Sequence, residues 1–93
     1  MDNFHESVWI YNGEESRFPG GVFSDKIEAE NWIRKHKLTG ILTLYPLNEG
    51  TYDWAIKNGY FTPSKEKEKS SNFIGSFSSA SQQHYHSRRC WCS

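Results

Sequence analysis

Residues 38–47, LTGILTLYPL, decide the fold. Ile41, Thr43 and Tyr45 alternate with Leu42, Leu44 and Pro46, the two-residue period of a β-strand. Pro46 lacks an amide hydrogen and is expected to end the ladder. A strand this apolar needs partners, and the chain offers two upstream. In residues 7–13, SVWIYNG, Val8 and Ile10 share one face and Trp9 and Tyr11 the other. Aromatic and apolar residues on both faces mean a strand covered on both sides, or one with a face used for binding. Residues 15–23, ESRFPGGVF, read as a second strand folding back on the first. Pro19-Gly20-Gly21 suits a bulge or an edge position.

Between the second and third strands the spacing predicts a helix over 25–37. Ser24 is the expected N-cap, and Asp25 sits in the first turn where the helix dipole favours an acid. Ala29, Trp32, Ile33 and His36 form its apolar stripe. After the third strand, Asn48-Glu49-Gly50 is a turn. Thr51 is expected to cap a short helix, TYDWAIKN, ended by Gly59. Tyr52, Ala55 and Ile56 share a face of it. SKEKEKSS (64–71) is a solvated charge run. Phe73, Ile74, Phe77, Ala80 and His84 then recur at helical spacing, predicting a helix over 71–83. Gly75 and the serine-rich SFSSAS weaken that helix. Alternatively the chain turns into a strand near 82–87, with His84 and His86 on one face and Tyr85 on the other.

The order β-β-α-β-α-α gives an α+β domain. It has a small, mainly antiparallel sheet of three to four strands with two or three helices packed on it. One domain over 1–87 and a C-terminal tail over 88–93 account for the 93 residues. Fifteen aromatic rings (4 Trp, 5 Tyr, 6 Phe) can build a core in so short a chain.

Net charge is zero, which removes the broad attraction nucleic-acid binders carry. The zero hides an asymmetry. Residues 1–30 hold seven acids and two bases, a net charge of −5, which the remainder balances. No apolar run approaches the length of a membrane span, and MDNFHESVW lacks the pattern of a signal peptide. The expected location is cytoplasmic, with reduced cysteines.

HYHSRRCWCS (84–93) is the stretch most suggestive of chemistry. His84, His86, Cys90 and Cys92 offer the two nitrogens and two sulfurs of a zinc tetrahedron. Their spacing is wrong for a structural site. All four fall within nine residues, with a single residue inside each pair. No cofactor is expected. His84 and His86, with Asp53 or the neighbouring Arg88 and Arg89, could also serve as acid and base. No Gly-x-Ser-x-Gly, phosphate-cradling loop or paired-carboxylate signature is present, so an enzyme is not the first reading.

Several segments resemble a family of small bacterial domains of unknown function. They are Gly21-Val22-Phe23-Ser24, Trp32-Ile33, Lys37-Leu38-Thr39-Gly40, Tyr45-Pro46, Gly50 with Tyr52-Asp53-Trp54-Ala55, and His84-Tyr85-His86. The resemblance covers about residues 7–87 and leaves the tail from Arg88 outside. It implies no activity. In size and style such domains are similar to the immunity and antagonist proteins of conflicts among bacteria and phages.

Three functions follow from these residues. The first is a non-enzymatic binding module that neutralises a protein partner such as a basic toxin or nuclease. Glu14 and Glu15 would steer the partner, and Trp9, Tyr11, Tyr52 and Trp54 would anchor it. The second is a nucleotide-type ligand binder using Arg34, Lys35, His84, His86 and Arg88, expected to be a homo-oligomer because one small domain offers little pocket. The third is a histidine- or metal-dependent enzyme. None of the three engages a membrane or a nucleic acid.

Overall fold

The computed structural model describes residues 7–87. Four strands form one antiparallel sheet in the order β2-β1-β3-β4. They are β1 (Ser7–Gly13), β2 (Pro19–Phe23), β3 (Gly40–Pro46) and β4 (His84–Ser87). The helices are α1 (Lys26–His36), α2 (Thr51–Lys57) and α3 (Ser71–Gly75), with a 3-10 turn at Glu66–Lys69.

β1 and β3 pair along their whole length, from Ser7 opposite Pro46 to Gly13 opposite Gly40. This register sorts every side chain. Trp9 lies opposite Leu44 and Phe23, and Tyr11 opposite Leu42 and Gly21. Those residues meet α1, whose Ala29 and Ile33 are buried with Trp9, Tyr11 and Leu42 in the core. Phe23, Trp32, Leu38 and Leu44 pack around them. Trp32 meets the edge of Tyr11 at 5.7 Å between ring centres. His36, expected in the apolar stripe, is exposed at the helix end, with its ring 5.7 Å from Trp32.

β2 is an edge strand. Its pairing slips between Tyr11 and Asn12, so Gly20 is the extra residue opposite them. Gly40 is the point of closest approach between strands. A Cβ there would strike the Asn12 carbonyl oxygen and would lie 2.5 Å from the Tyr11 hydroxyl. Glycine is what lets β1 close on β3 at this end.

Several local expectations are corrected. Asp25, rather than Ser24, caps α1, accepting a bond from the Ile27 amide at 3.2 Å. Gly50, rather than Thr51, stands at the N-cap of α2 and offers no side-chain bond. Gly59 does follow α2, at φ +78. The helix expected over 71–83 stops at Gly75. Glycine and serine are poor there because serine hydroxyls bond locally instead. The Ser79 hydroxyl takes the Ser81 amide at 3.1 Å. Gln82, almost fully buried, ties this turn to the sheet, donating to the Leu44 carbonyl at 3.1 Å and accepting from the Ser79 amide at 2.9 Å. That anchor aims the chain into β4, the strand weighed as the alternative.

Tyr52, Phe61, Phe73 and Phe77 form a second, half-buried aromatic cluster with ring centres 5.0–6.3 Å apart. The principal extents are 44 × 35 × 19 Å. A thickness of 19 Å holds a sheet and one layer of helix, since packed layers lie about 10 Å apart. Among the described residues, no helix is long and apolar enough to cross a membrane.

Candidate functional site on the open sheet face

The register that sends Trp9, Tyr11 and Leu42 to the core sends their neighbours to the other face. Two rows of side chains cross it. Val22, Ile10, Thr43 and His84 make one row. Pro19, Asn12, Ile41 and His86 make the next. Val8 and Tyr45 pair beyond them. Val22 (61%) and Ile41 (38%) are exposed, as are Pro19, His84 and His86, while Ile10, Asn12 and Thr43 between them are half-buried. Single exposed apolar residues are common, but apolar side chains interleaved with imidazoles on one flat face form a contact surface.

Two shallow grooves run over this face. One, of about 440 Å³, lies along Thr43, Tyr45, His84 and His86 and is walled by Ser78–Ala80 and Gln82. The other, of about 420 Å³, lies between the hairpin residues Gly13–Ser16 and Gly40, Ile41, His86 and Ser87. Asn12, Ile41 and His86 belong to both. The hairpin wall is held in place. Glu14 accepts from the Thr39 hydroxyl at 2.9 Å, and its amide donates to the Thr39 carbonyl at 2.9 Å. Glu15 turns the chain in the left-handed region at φ 64 and stays exposed.

His84 and His86 stand on this face with ring centres 5.5 Å apart and planes at 78°. Tyr85 points the other way, 5.9 Å from Trp9, with the Lys26 ammonium 3.8 Å over its ring. His84 Nδ1 lies 2.8 Å from the Gln82 carbonyl oxygen. A carbonyl only accepts, so Nδ1 is the donor in this bond and Nε2 is the nitrogen left to face a ligand.

The structure redistributes the residues named from sequence. Glu14, Glu15, His84 and His86 come together around the grooves. Trp9 (8% exposed) and Tyr11 (2%) are core, so they hold the sheet to α1 instead of offering their rings to a partner. Tyr52 is in the second aromatic cluster and donates to the Glu68 carbonyl at 3.0 Å. Trp54 is half-buried, 5.3 Å from Tyr60. Arg34 and Lys35 are exposed in the last turn of α1, where Arg34 donates to Asn31 at 3.3 Å. They line neither groove, and neither does Asp53. Arg88, Cys90 and Cys92 lie outside the described residues. Among the described residues, no three His, Cys, Asp or Glu side chains converge on a metal position.

Sequence reasoning missed Asn12, Ile41, Thr43 and Tyr45 as site residues. The alternation in β1 and β3 had already grouped them. With apolar residues on both faces, it could not say which face α1 would take.

No curated protein and no solved structure matches the chain. A family model does match, over residues 8–92, so the pattern extends through Cys90 and Cys92, which the sequence comparison had left outside. The chain therefore belongs to the family described as a domain of unknown function, DUF7710.

Proposed function

We propose that this protein is a non-enzymatic binding module and that the open sheet face receives a protein partner. The observation that carries the reading is the solvent-accessible double row, Val22-Ile10-Thr43-His84 and Pro19-Asn12-Ile41-His86, on a sheet whose other face packs Trp9, Tyr11 and Leu42 against α1. Its mix of aliphatic, aromatic and imidazole groups matches the composition of protein contact surfaces better than that of a water-excluding catalytic cleft. Both grooves are shallow, which suits a protein side chain more than an engulfed small ligand.

The acidic rim gives the partner a sign. Glu14 and Glu15 flank the groove that His86 closes, so a basic surface is favoured, as a toxin or nuclease would present. The module would act by covering that surface, in the cytoplasm.

Native mass spectrometry of the protein from its own host tests this reading, with Thr43→Arg and Glu28→Arg compared with the parent chain. Thr43 is central to the open face, and Glu28 is exposed on α1. The expected result is one stoichiometric complex that Thr43→Arg abolishes and Glu28→Arg keeps. A chain that runs at its own mass, or a complex indifferent to Thr43→Arg, would refute it.

A further inference from the structure

We propose that His84 and His86 form a two-imidazole site for a divalent transition cation of the zinc or copper class. Four observations point to a ligand. Both rings project from the same face of one strand, two residues apart, where strand geometry fixes them side by side. Their centres lie 5.5 Å apart. Two imidazoles on one tetrahedral ion, each nitrogen about 2 Å from the metal, hold their ring centres about 5 Å apart. The observed spacing is close to that value.

The third observation is the bond from His84 Nδ1 to the Gln82 carbonyl, 2.8 Å long. Metal-binding histidines commonly donate their second nitrogen to a backbone carbonyl, which sets the tautomer and orients the ring. Gln82 is a rigid support, since the residue is 3% exposed and its side chain is bonded to both Leu44 and Ser79. The fourth is exposure. Both imidazoles face solvent at the groove, so an ion can reach them without unfolding the strand.

Spacing excluded a structural zinc knuckle for the four-residue set, and that argument stands. The site proposed here needs no folding role, because β4 and Gln82 already hold the two rings. It leaves two tetrahedral positions for water or for other donors. The site stands whether or not a protein covers the face.

The test titrates the full chain with zinc by calorimetry, and follows the imidazole resonances by NMR. The variants are His84→Ala, His86→Ala and the double variant Cys90→Ser/Cys92→Ser. Backbone amide spectra confirm that each is folded. The expected result is saturable binding, with the His84 and His86 resonances moving together. Each histidine variant should lose about tenfold or more in affinity, the scale on which metal sites respond to disturbed ligation. Affinity should fall in acid, where protons compete for the same lone pairs. Binding that survives in the cysteine variant supports an imidazole pair completed by water. Binding abolished in the cysteine variant overturns the proposal, because the ion would then belong to the sulfurs. Absence of binding overturns the proposal. So does binding that leaves both imidazoles unmoved or is indifferent to His84→Ala.

Discussion

Gly40→Ala tests the packing on which the open face depends. An added methyl would strike the Asn12 carbonyl oxygen and would sit 2.5 Å from the Tyr11 hydroxyl and 2.8 Å from Gly13 Cα. Ordinary carbon contacts need about 3.5 Å. Two of the three obstacles are backbone, so no side-chain rotation relieves them. β1 must move off β3 where Asn12 faces Ile41 and Gly13 faces Gly40. That shift endangers the Glu14 amide bond to Thr39 and the Ser87 hydroxyl bond to the Gly40 carbonyl, 2.9 and 3.3 Å long. Overpacking costs about 3 kcal/mol and each of the two hydrogen bonds about 1 kcal/mol, which together come to about 5 kcal/mol. A domain of this size holds only about 5–15 kcal/mol of stability. With about 4–8 °C per kcal/mol, the midpoint of thermal unfolding, followed by circular dichroism, should fall by about 20–40 °C. Gly75→Ala is the control. Nothing lies within 4 Å of a Cβ there, at the end of α3, so it should be neutral or stabilising by up to about 1 kcal/mol. A Gly40→Ala midpoint close to the parent's would refute the reasoning.

The remaining predictions concern the core, one pH-sensitive turn and the rim. Tyr11→Phe removes a buried hydroxyl that has no hydrogen-bond partner among the described residues, so stability in urea should rise by about 1 kcal/mol; a lower urea midpoint contradicts this. Ile33→Ala empties the largest fully buried side chain and should cost about 2–5 kcal/mol by the same assay, whereas a loss well below that range would show that α1 is loosely seated. The Ser64 and Lys65 amides, 2.9 and 3.2 Å from Glu68, hold its carboxyl below the ordinary value of 4.5. Because the folded value is depressed, the stabilisation is present at neutral pH and fades only as pH falls below 4.5 through the folded value. An NMR titration in which Glu68 protonates above 4.5 would contradict that assignment. Glu14→Lys with Glu15→Lys should slow association with a basic partner by about tenfold or more at low salt and much less at high salt, and a salt-independent rate would exclude steering.

The parts of the fold legible in the sequence are those set by local periodicity. β1, α1 and β3 carry strong two- and 3.6-residue patterns, and each lies within a residue or two of its expected bounds. The end of the chain was harder. Phe73, Phe77 and Ala80 fit a helix, yet Gln82 bonded to Leu44 decides that the chain becomes β4, and that contact spans 38 residues. No local signal carries it. The candidate site was half visible. His84 and His86 were singled out by residue type, and Glu14 and Glu15 by charge. Trp9 and Tyr11 were assigned to a surface because exposed aromatics favour interfaces, but Ala29 and Ile33 cover them. Which face of β1 and β3 stays open depends on where α1 docks, a long-range property that alternation alone leaves undetermined.

The central claim is that the face carrying Thr43, Ile41, His84 and His86 is where a protein partner sits. A photo-crosslinking residue placed at Thr43, and separately at Glu28 on α1, tests it in the living host. The account predicts one discrete protein adduct from position 43, suppressed by Glu14→Lys with Glu15→Lys, and none from position 28. Adducts from position 28 alone, or none from position 43, would contradict it.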